Sequence, residues 1–529
     1  MESETDYWRR ALQEETPSRT RRTPVDEPLV PVLTVIWHPH SARVGQRATL
    51  AAGAVTRLCR SEPIFGGGAA RSGPLADPFL SRKPWQLTST RDGGVCFDRD
   101  GSSLELRLDG RPADGLELSR AQLVDGVVLE LEDRVVLALH LGSPVPAAGP
   151  DHGLVGRGRA ISDLRRELER VAPLSLPLLL RGESGTGKEL AARAVHLAGP
   201  RRDGPFVTVN MAAVPPTLAA SELFGAEKGA FSGADRRRPG FFAAADGGTL
   251  FLDEVGDTPA DAQALLLRAL ESGEIQPVGA AAPRRVDVRV VAATDLDLDH
   301  AQDEGSFRTP LFHRLAGFEL TLPPLRRRRE DIGLLLLAFL RRELEALGRA
   351  DRLEPRADGE PWLGGELVGR LARLPWPGNV RQLRNVAGQL VAAAHDREHV
   401  VAPPSITRLF HCLDEASPPT DRPAPPTGPA AQPTRRAPSD LTDDEILDAL
   451  KRCAWRIKPA ADELGISRPS LYKLMESSSR FRLAGDLDED ELRRAHAESD
   501  GHVAAMAPRL EISPDALRRR LRELGLECR

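Results

Sequence analysis

Hydrophobic and polar positions divide the chain into segments of different period. Residues 1–32 mix charge, threonine and proline without a period, which predicts a disordered leader. From residue 33 to residue 142, short apolar runs such as SLELRL and RVVLALHL are broken by Gly, Asp and Pro. Runs of this kind are typical of β-strands, so this segment is predicted to form a small all-β domain.

The middle of the chain has apolar runs that predict buried parallel strands. Residues 143–152, which contain three prolines, are predicted to be a linker. Beyond this linker come the runs LSLPLLL, GTLFLD and VRVVAAT, and the helical pattern ELAARAVHLA follows the first of them. This succession indicates an α/β domain with a parallel sheet.

Composition and charge restrict the classes of function. The 529 residues are enough for three or four domains, and the formal net charge of −5 excludes DNA binding by the charge of the whole molecule. The five cysteines have no CxxC spacing, which argues against a zinc site or a disulfide framework and favours a reducing cytoplasm. Because the apolar runs are too short to cross a bilayer and the first residues are polar, we expect a cytoplasmic protein without a membrane segment.

A glycine-rich loop follows the run LSLPLLL and precedes a helix. Its sequence, GESGTGK, fits the GxxxxGK pattern, in which backbone N–H groups and the N-terminus of the helix bind phosphate oxygens. Lys188 is placed to neutralise charge near the β- and γ-phosphates. Glu189 stands where a general P-loop has the Ser or Thr that ligates Mg²⁺, so another group or water must take that role. The predicted nucleotide-binding residues of this loop are Gly182, Glu183, Ser184, Gly185, Thr186, Gly187, Lys188 and Glu189.

Two further strand ends carry polar groups suited to nucleotide hydrolysis. The run GGTLFLDE ends in Asp253, placed to hold Mg²⁺ through water, and Glu254, placed to polarise the attacking water. The run VRVVAATD ends in Thr294 and Asp295, a polar tip suited to sensing the γ-phosphate. Two acids at a strand end are often only a solvated corner, but beside a P-loop the catalytic interpretation is favoured.

Two arginines and a loop of small residues add to this pattern. Arg308 and Arg314 are spaced to reach a nucleotide held by a neighbouring subunit; the alternative is that each only caps a helix or pairs with a surface acid. Residues 229–234, GAFSGA, carry the single aromatic Phe231 among small residues. Small residues let such a loop change shape, so its apolar tip is expected to touch a partner unless the loop is an ordinary hairpin turn.

Six motifs in a fixed order resemble the AAA+ domain of sigma-54-dependent transcriptional activators. They are GESGTGKE, GAFSGA, GGTLFLDE, FRxxLFHRL, LPPLRRRREDI and WPGNVRQLRN, all within residues 153–400. The resemblance implies an α/β ATPase subdomain at 153–325, a helical lid at 326–412, ATP and Mg²⁺ as cofactors, and a homo-oligomeric ring, a hexamer. In that family, ATP hydrolysis drives the loop against sigma-54 and remodels the closed promoter complex of the RNA polymerase holoenzyme.

The resemblance also implies roles for single residues. Asn210 is similar to the residue that links nucleotide state to Glu254, Arg381 is similar to the second sensor on the lid, and Gly156 lies in the segment near the adenine. The residues that match the family's sigma-54 contact are Gly229, Ala230, Phe231, Ser232, Gly233 and Ala234.

The chain departs from the family pattern in three places. Ser232 replaces the usual threonine of the loop, so a methyl group is lost while the hydroxyl is kept. Asp295 stands where asparagine is usual, which places a negative charge near the phosphates. Thr309 and Pro310 replace an acid pair between the two arginines. Since the P-loop lysine and both strand-end acids are kept, a working ATPase is expected.

The C-terminal part is predicted to contain two related helical units after a proline-rich linker at 413–440. With an offset of 46 residues, residues 441–480 align with residues 486–529, so that Leu471 matches Leu517. Each copy reads as a helix, a turn and a second helix, which is typical of helix-turn-helix domains.

The first copy resembles the Fis-type end of the same activators, whose second helix would face the major groove of enhancer DNA. The second copy ends in an arginine-rich helix but follows an acidic run, and a paired helical dimerisation unit is an equal alternative to DNA recognition. The predicted DNA-binding residues are Ser467, Arg468, Ser470, Tyr472 and Lys473 in the first copy and Arg518 and Arg519 in the second.

Two segments of the first domain, LADPFLSRKPWQL and LVDGVVLELEDRVVLALHLG, resemble a forkhead-associated domain, a β-sandwich that binds phosphothreonine peptides. Ser81 and Arg82 match the Ser-Arg pair of that family, whereas Gly66 and Gly67 stand where the family has Gly-Arg. The resemblance implies input from a phosphoprotein or a Ser/Thr kinase. The alternative is a structural sandwich that docks on its neighbour.

Two classes of function are compatible with these motifs. The first is an ATP-driven transcription activator that is bound at enhancer DNA and regulated by its N-terminal domain. The second is a non-transcriptional AAA+ remodeller, or a nucleotide-gated DNA-binding scaffold that no longer engages sigma-54. The GAFSGA loop and the Fis-like tail together favour the first class.

Overall fold

The structure is a computed structural model in which the chain forms two compact units, residues 1–418 and 419–529. The predicted leader up to residue 28 and the part of the predicted proline-rich linker after residue 415 lie outside the described residues. The described residues are 29–67, 70–113, 115–144, 152–230, 236–354, 360–395, 397–415, 442–453, 455, 457–464, 471, 474–475, 478, 480–481, 489–499, 503–513, 516–517 and 520–521.

In the described part of the first unit, residues 29–144 form ten strands and one short α-helix. They are β1 (Val30–Trp37), β2 (Arg47–Thr49), β3 (Val55–Leu58), β4 (Trp85–Ser89), β5 (Val95–Asp98), β6 (Leu106–Leu108), β7 (Arg111–Pro112), β8 (Glu117–Leu118), α1 (Arg120–Asp125), β9 (Val127–Leu131) and β10 (Val135–Gly142). One antiparallel sheet has the order β2-β1-β10-β9-β6-β7, and a second has the order β3-β4-β5-β8. Buried side chains of both sheets, such as Leu33, Leu87 and Leu139, form a single core.

Strand β1 begins earlier than the sequence indicated. Residues 30–32 were predicted to belong to the leader, but Val30 pairs with Gly142 and Pro31 with Leu141 in the ladder between β1 and β10. Because β10 continues to Gly142, its last residues pair with Val30 and Pro31 and extend β1 toward the N-terminus.

Strand β10 is buried on both faces. Leu137 and Leu139 belong to the core between the two sheets, whereas Val136 and Ala138 pack in a different apolar cluster together with the helices of the lid. Two buried faces explain why residues 135–139 of this strand are an unbroken apolar run instead of an alternation of apolar and polar residues.

A parallel sheet flanked by helices follows. This region contains α2 (Arg159–Val171), β11 (Leu178–Arg181), α3 (Lys188–Ala198), β12 (Phe206–Asn210), α4 (Ala219–Phe224), β13 (Gly225–Ala226), β14 (Arg238–Pro239), α5 (Phe241–Ala244), β15 (Thr249–Asp253), α6 (Ala260–Ser272), β16 (Glu274–Ile275), β17 (Arg284–Arg285), β18 (Arg289–Thr294), α7 (Leu298–Asp303), α8 (Thr309–Leu315) and β19 (Phe318–Thr321). Strands β13 and β14 pair with each other, as do β16 and β17, in two small antiparallel sheets. The main sheet has the order β12-β15-β18-β11-β19, with every pair parallel. The predicted α/β domain is therefore confirmed, and the carboxyl ends of β11, β15 and β18 meet at one edge of the sheet.

Four α-helices among the described residues of 326–415 form the lid. They are α9 (Ile332–Ala346), α10 (Gly365–Arg373), α11 (Asn379–Ala393) and α12 (Pro404–Glu415). Ile36 of β1 lies in the same buried cluster as Ile332 and Leu336 of α9, and Nε1 of Trp37 donates a hydrogen bond of 3.0 Å to the carbonyl oxygen of Leu363. The β-domain and the lid thus share an interior.

This shared interior makes a prediction at Gly333 of α9. A Cβ atom there would overlap the carbonyl oxygen of Ile36, so Gly333→Ala is expected to lower the midpoint of thermal unfolding, with a cost of about 1–3 kcal/mol from overpacking. Gly388→Ala in α11 is the matched control, because a Cβ atom there meets open space and alanine favours a helix by about 0.5–1 kcal/mol. Equal melting temperatures for the two variants would contradict the close contact between β1 and α9.

The described residues of the second unit form two small helical clusters. Helices α13 (Asp443–Arg452) and α14 (Ile457–Leu464) contribute to one cluster, and α15 (Glu489–Glu498) and α16 (Val503–Leu510) contribute to the other. The buried residues of the two clusters correspond at the offset of 46 residues, as in the pairs Ile446 and Leu492, Ala461 and Ala507, and Leu471 and Leu517. Within the described ranges, none of the helices has the length and apolarity needed to span a bilayer.

Candidate active site

The P-loop connects β11 to α3 and places Lys188 at the start of the helix. Gly187, directly before it, has φ +104°, a conformation that disfavours residues with a Cβ atom. Lys188 is buried, and its Nζ donates a hydrogen bond of 2.8 Å to the carbonyl oxygen of Gly182. The same Nζ lies 3.6 Å from Oε1 of Glu254, so the lysine already lies between the phosphate loop and the acid of β15.

The two acids at the end of β15, Asp253 and Glu254, are both partly buried near Lys188, and Glu254 has an additional backbone contact. Burial raises the pKa of Asp253 and of Glu254 above the usual values, and Lys188 acts against this in both cases. Glu254 has φ +50°, and its Oε2 accepts a hydrogen bond of 3.2 Å from the backbone N–H of Asp295. The left-handed turn therefore directs Glu254 away from the strand and ties it to the end of β18.

The pKa of Glu254 is raised by a neighbouring charge as well as by burial. Burial has the largest effect, Lys188 opposes it, and the negative charge of Asp295 raises the pKa further. Thr294, in contrast, is fully buried, and its Oγ1 accepts a hydrogen bond of 3.1 Å from the N–H of Leu296. Of the predicted γ-phosphate sensors, Asp295 is thus the one beside the acid of β15.

We expect Asp295→Asn to shift the acidic limb of the pH profile of ATP hydrolysis to lower pH. A general base must be ionised, so activity is lost as the pH falls through the pKa of Glu254. Removing the neighbouring negative charge lowers that pKa, and the carboxylate persists in more acidic solution. The measurement is the rate of phosphate release between pH 5 and 9.

A second acid change controls for net charge. Asp303→Asn removes an exposed charge from the end of α7 and should leave the acidic limb where it is in the unchanged chain. An identical shift in both variants would indicate a general charge effect and would contradict the proposed link between Asp295 and Glu254.

A pocket of about 250 Å³ opens beside these groups. The P-loop and the acids of β15 form one wall, and the lid helices α9 and α11 supply the other. The predicted sensor Arg381 lines it, and its Nη1 donates a hydrogen bond of 3.0 Å to Oγ of Ser184. Sequence reasoning missed four lining residues, of which only Arg384, one turn after Arg381 in the same motif, carried a signal. The four are Leu190, Phe339, Val380 and Arg384.

The P-loop fits a nucleotide, and the next residue, Glu189, lines the pocket while its carboxylate pairs with an arginine of the same helix. A Cβ atom at Gly187 would meet no protein atom, so the loop leaves space for a ligand beside Lys188. Glu189 is exposed and forms an ion pair of 3.0 Å with Arg193, one turn further along α3. Asp253, which lines the pocket, has the carboxylate oxygens that Mg²⁺ prefers.

Other predicted site residues lie around this centre. Asn210 ends β12 and is the register partner of Asp253 on the neighbouring strand. Arg308 directly precedes α8 and Arg314 lies in its last turn; both side chains are exposed, and neither belongs to the lining of the pocket. The backbone N–H of Arg308 donates to Oε1 of Gln263 at 2.9 Å, which fixes the start of α8.

Gly156 lies in a segment that the lid holds in place. Oδ1 of Asp331 accepts hydrogen bonds from the N–H groups of Arg157 and Gly158, at 2.6 and 2.8 Å. Gly156 has φ +146° and leaves no room for a Cβ atom against Asp331. Asp331 is fully buried, and burial raises its pKa to about 6.

The predicted sigma-54 loop rises from a short hairpin. Strands β13 and β14 pair at its base, and Glu227 forms an ion pair of 3.1 Å with Arg237. The N–H of Val278 donates to the carbonyl oxygen of Gly225 at 2.8 Å, so the loop after β16 braces this base. Gly229 and Ala230 are described, whereas Phe231, Ser232, Gly233 and Ala234 lie outside the described residues.

The remaining predicted contacts lie in the terminal domains. Oγ of Ser81 lies 2.9 Å from Oγ of Ser103 and accepts a hydrogen bond of 3.1 Å from the N–H of Lys83, while Arg82 is exposed. The N–H of Arg60 donates to the carbonyl oxygen of Ser81 at 3.1 Å. The DNA-binding predictions fall outside the described residues; they are Ser467, Arg468, Ser470, Tyr472, Lys473, Arg518 and Arg519.

A P-loop after β11, an acid pair after β15 and a lid arginine over one pocket define a P-loop ATPase of the AAA+ class. Comparison with known proteins agrees. Residues 154–321 match the Sigma-54 interaction domain, residues 326–417 match the AAA+ ATPase lid domain, and residues 443–476 match the Fis family of bacterial regulatory proteins.

Relatives extend the match beyond single domains. The DNA-binding transcriptional regulator NtrC of Salmonella typhimurium is 39% identical over 381 residues, which is 72% of this chain and 71% of the relative. The nitric oxide reductase transcription regulator NorR1 of Cupriavidus necator is 44% identical over 57% of this chain and 62% of its own length. Among solved structures, NtrX from Brucella abortus in complex with ATP is 32% identical with a TM-score of 0.43, over 61% of this chain and 69% of that chain.

The chain belongs to the NtrC-like sigma-54-dependent transcriptional activators. It is an ATP-binding AAA+ ATPase with a sigma-54 interaction domain, a lid and a Fis-type helix-turn-helix, as the sequence predicted. The transcriptional interpretation is thereby favoured over the non-transcriptional remodeller.

Proposed function

We propose that this chain binds enhancer DNA, assembles into a hexameric ring and uses ATP hydrolysis to remodel the closed complex of sigma-54 RNA polymerase. The observation that carries the proposal is the ATPase site combined with the braced hairpin that leads into Gly229 and Ala230. Since DNA and polymerase are the proposed partners, the cytoplasm is the proposed site of action.

In the proposed hydrolysis, each group of the pocket has one task. Lys188 neutralises charge on the phosphates, and Glu254 accepts the proton of the attacking water. Asp253 would hold Mg²⁺ through water, and the ion would supply charge neutralisation for the phosphates. Arg381, which extends from the lid to Ser184, would follow the phosphates as the lid moves.

We further assign Arg308 and Arg314 to the neighbouring subunit's nucleotide. Both side chains are exposed and lie outside the lining of the chain's own pocket, which supports action across a subunit boundary. Asn210, beside Asp253, would report the nucleotide state to Glu254.

Movement of the loop is proposed to follow from the same pocket. Glu254 accepts a hydrogen bond from the backbone N–H of Asp295, directly after β18. Strand β18 is the central strand of the sheet, between β15 and β11. Residues 274–285, which precede β18, include the segment that braces the hairpin. A change at the γ-phosphate can therefore reach Phe231 through β18 and this brace.

The DNA-binding role rests on the Fis family match. We propose that Arg468, Tyr472 and Lys473, with Ser467 and Ser470, contact enhancer DNA. The two clusters of the C-terminal unit bury corresponding residues, which supports a duplicated helix-turn-helix in which Arg518 and Arg519 face DNA in the same way.

The N-terminal domain is proposed to be a forkhead-associated domain that senses a phosphothreonine peptide, the product of a Ser/Thr kinase. Two antiparallel sheets around one core support the fold. Ser81 and Arg82, together with Arg60 and Lys83 on the same loops, supply a hydroxyl and positive charge for a phosphate. Its contact with α9 would carry the signal to the ATPase.

The test is transcription from a preformed sigma-54 closed complex in vitro with ATP. Phe231→Ala is expected to abolish open-complex formation while ATP hydrolysis continues, because the loop would lose its contact and the site would remain intact. Ser232→Thr is the matched variant and should keep or raise open-complex formation. Transcription by Phe231→Ala at the rate of the unchanged chain would instead favour the non-transcriptional remodeller.

The same assay tests regulation by the N-terminal domain. In the full chain, Gly333→Ala disturbs the contact with Ile36 and leaves the P-loop and the acids unchanged. If open-complex formation no longer depends on the phosphothreonine peptide, the result supports regulation through α9. An unaltered response to the peptide argues against it.

A further inference from the structure

Asn379, the first residue of α11, is fully buried and uses every polar atom of its side chain. Its Nδ2 donates to Oε2 of Glu183 at 3.1 Å and to the carbonyl oxygen of Ser184 at 3.0 Å. Its Oδ1 accepts a hydrogen bond of 2.8 Å from the N–H of Leu325, where the lid begins. The amide of Asn379 thus connects two P-loop residues, Glu183 and Ser184, both to α11 and to the backbone at Leu325, just before the lid.

The backbone after Asn379 makes a second set of contacts with the P-loop. The N–H groups of Val380 and Arg381 both donate to the carbonyl oxygen of Gly185, at 3.0 and 3.3 Å. A Cβ atom at Gly185 would lie 2.4 Å from the carbonyl oxygen of Gly378, so the loop and the helix start are in close contact. The N-terminus of α11 is therefore anchored on the P-loop itself.

The carboxylate of Glu183 accepts hydrogen bonds from two residues of the lid. Besides Asn379, it accepts hydrogen bonds from Arg326, at 2.8 Å to Oε2 and 2.5 Å to Oε1. The hydrogen bonds from Arg326 lower the pKa of Glu183 most, and the hydrogen bond from Asn379 lowers it further. The carboxylate is thus held in the charged form that accepts from both.

Arg381 is two residues beyond Asn379 on the same helix turn. Its guanidinium reaches Ser184, the P-loop residue whose carbonyl oxygen Asn379 holds. The orientation of Arg381 toward Ser184 depends on where α11 begins, and Asn379 is the first residue of that helix.

We propose that Asn379 is a positioning residue for ATP hydrolysis. It fixes the Glu183–Ser184 peptide against the lid and so directs Arg381 toward the nucleotide phosphates. The proposal rests on the ATPase activity of the family and does not involve sigma-54 or DNA. A reacting or positioning group displaced by about 1 Å can cost about 100-fold in rate, so loss of this anchor is expected to act mainly on kcat.

The backbone of Asn379 allows a clean deletion of the side chain. It has φ +48°, which glycine adopts without strain, so Asn379→Gly removes the amide and keeps the turn. Asn379→Asp keeps the acceptor for Leu325 but replaces both donors with a charge that faces Glu183. Gln389→Ala is the matched control, because it removes an exposed amide from the same helix.

The experiment measures ATP hydrolysis by the full chain without sigma-54 or DNA. Both changes at Asn379 are expected to lower kcat at least tenfold, with a smaller change in KM, while Gln389→Ala leaves both constants unchanged. Melting temperatures of all variants identify any loss of folding, and Asn379→Asp gives an independent result if the glycine variant unfolds.

A double-variant cycle with Arg381→Ala separates positioning from a general structural role. If Asn379 acts through Arg381, adding Asn379→Gly to Arg381→Ala causes little further loss of kcat. Losses that multiply would overturn the proposal, as would a kcat of Asn379→Gly equal to that of the Gln389→Ala control. Turnover by the unchanged chain shows separately that the ATPase itself is intact.

Discussion

ATP hydrolysis by the Glu254→Gln variant is expected to fall by about 10²–10⁴-fold, while ATP is still bound. The carboxylate of Glu254 lies 3.6 Å from Nζ of Lys188 and accepts a hydrogen bond from the backbone N–H of Asp295. Glutamine keeps this shape but cannot accept a proton from water, whereas Lys188 and the P-loop remain to bind phosphates. Phosphate release and equilibrium binding of a fluorescent ATP analogue are the two measurements.

Asp257→Asn provides a control three residues further along the chain. Its side chain is exposed, and the change removes one negative charge from the same turn without touching the base. Turnover should stay at the level of the unchanged chain. Normal turnover in Glu254→Gln would place the general base elsewhere.

Arg308→Ala is expected to lower ATP hydrolysis by about 10³–10⁵-fold, the effect of an arginine that stabilises charge on a transferred phosphoryl group. The pocket of each chain is lined by its own P-loop, acids and lid, and Arg308 is exposed outside it. Steady-state phosphate release at a protein concentration that maintains the oligomer is the measurement.

Mixing variants tests whether Arg308 acts between subunits. In a mixture of Arg308→Ala and Glu254→Gln, some neighbouring pairs combine an intact pocket with an intact arginine, so activity should return to about a quarter of the sites in a head-to-tail ring. Lys188→Ala mixed with Glu254→Gln is the matched control, because both changes damage the subunit's own pocket and no pair is restored. Failure of the first mixture to regain activity would mean that Arg308 acts on its own subunit.

The centre of the site could be predicted because its groups lie on short, contiguous motifs. A strand followed by GxxxxGK fixes the position of Lys188 whatever else surrounds it, and the acid pair directly ends a buried strand. The lid side of the pocket could not be predicted in the same way. The contact between Asn379 and Glu183 joins residues 196 positions apart, and it depends on how the lid packs over the sheet.

The β-domain shows a similar division. Alternating runs predicted its strands, but the unbroken apolar run at residues 135–139 of β10 indicates a second buried face without identifying what covers it. The lid helices α9 and α10 cover that face, a result of tertiary packing alone. Thr294 shows another limit: the sequence predicted a polar residue at a strand end, but not that its side chain is fully buried and accepts a hydrogen bond from the N–H of Leu296.

The turn Arg329–Asp331 contacts two segments that are distant in sequence. Asp331 holds the backbone of residues 157 and 158, and Nη1 of Arg329, in the same turn, donates to the carbonyl oxygen of Gly126 in the β-domain at 3.2 Å. If a ligand on the β-domain shifts this turn, binding equilibria at the two sites are linked and the effect is reciprocal. A ligand of the β-domain that strengthens ATP binding by a given factor must itself be bound more tightly by the same factor when ATP is present, so the ATP concentration would set how sensitively the β-domain responds to that ligand.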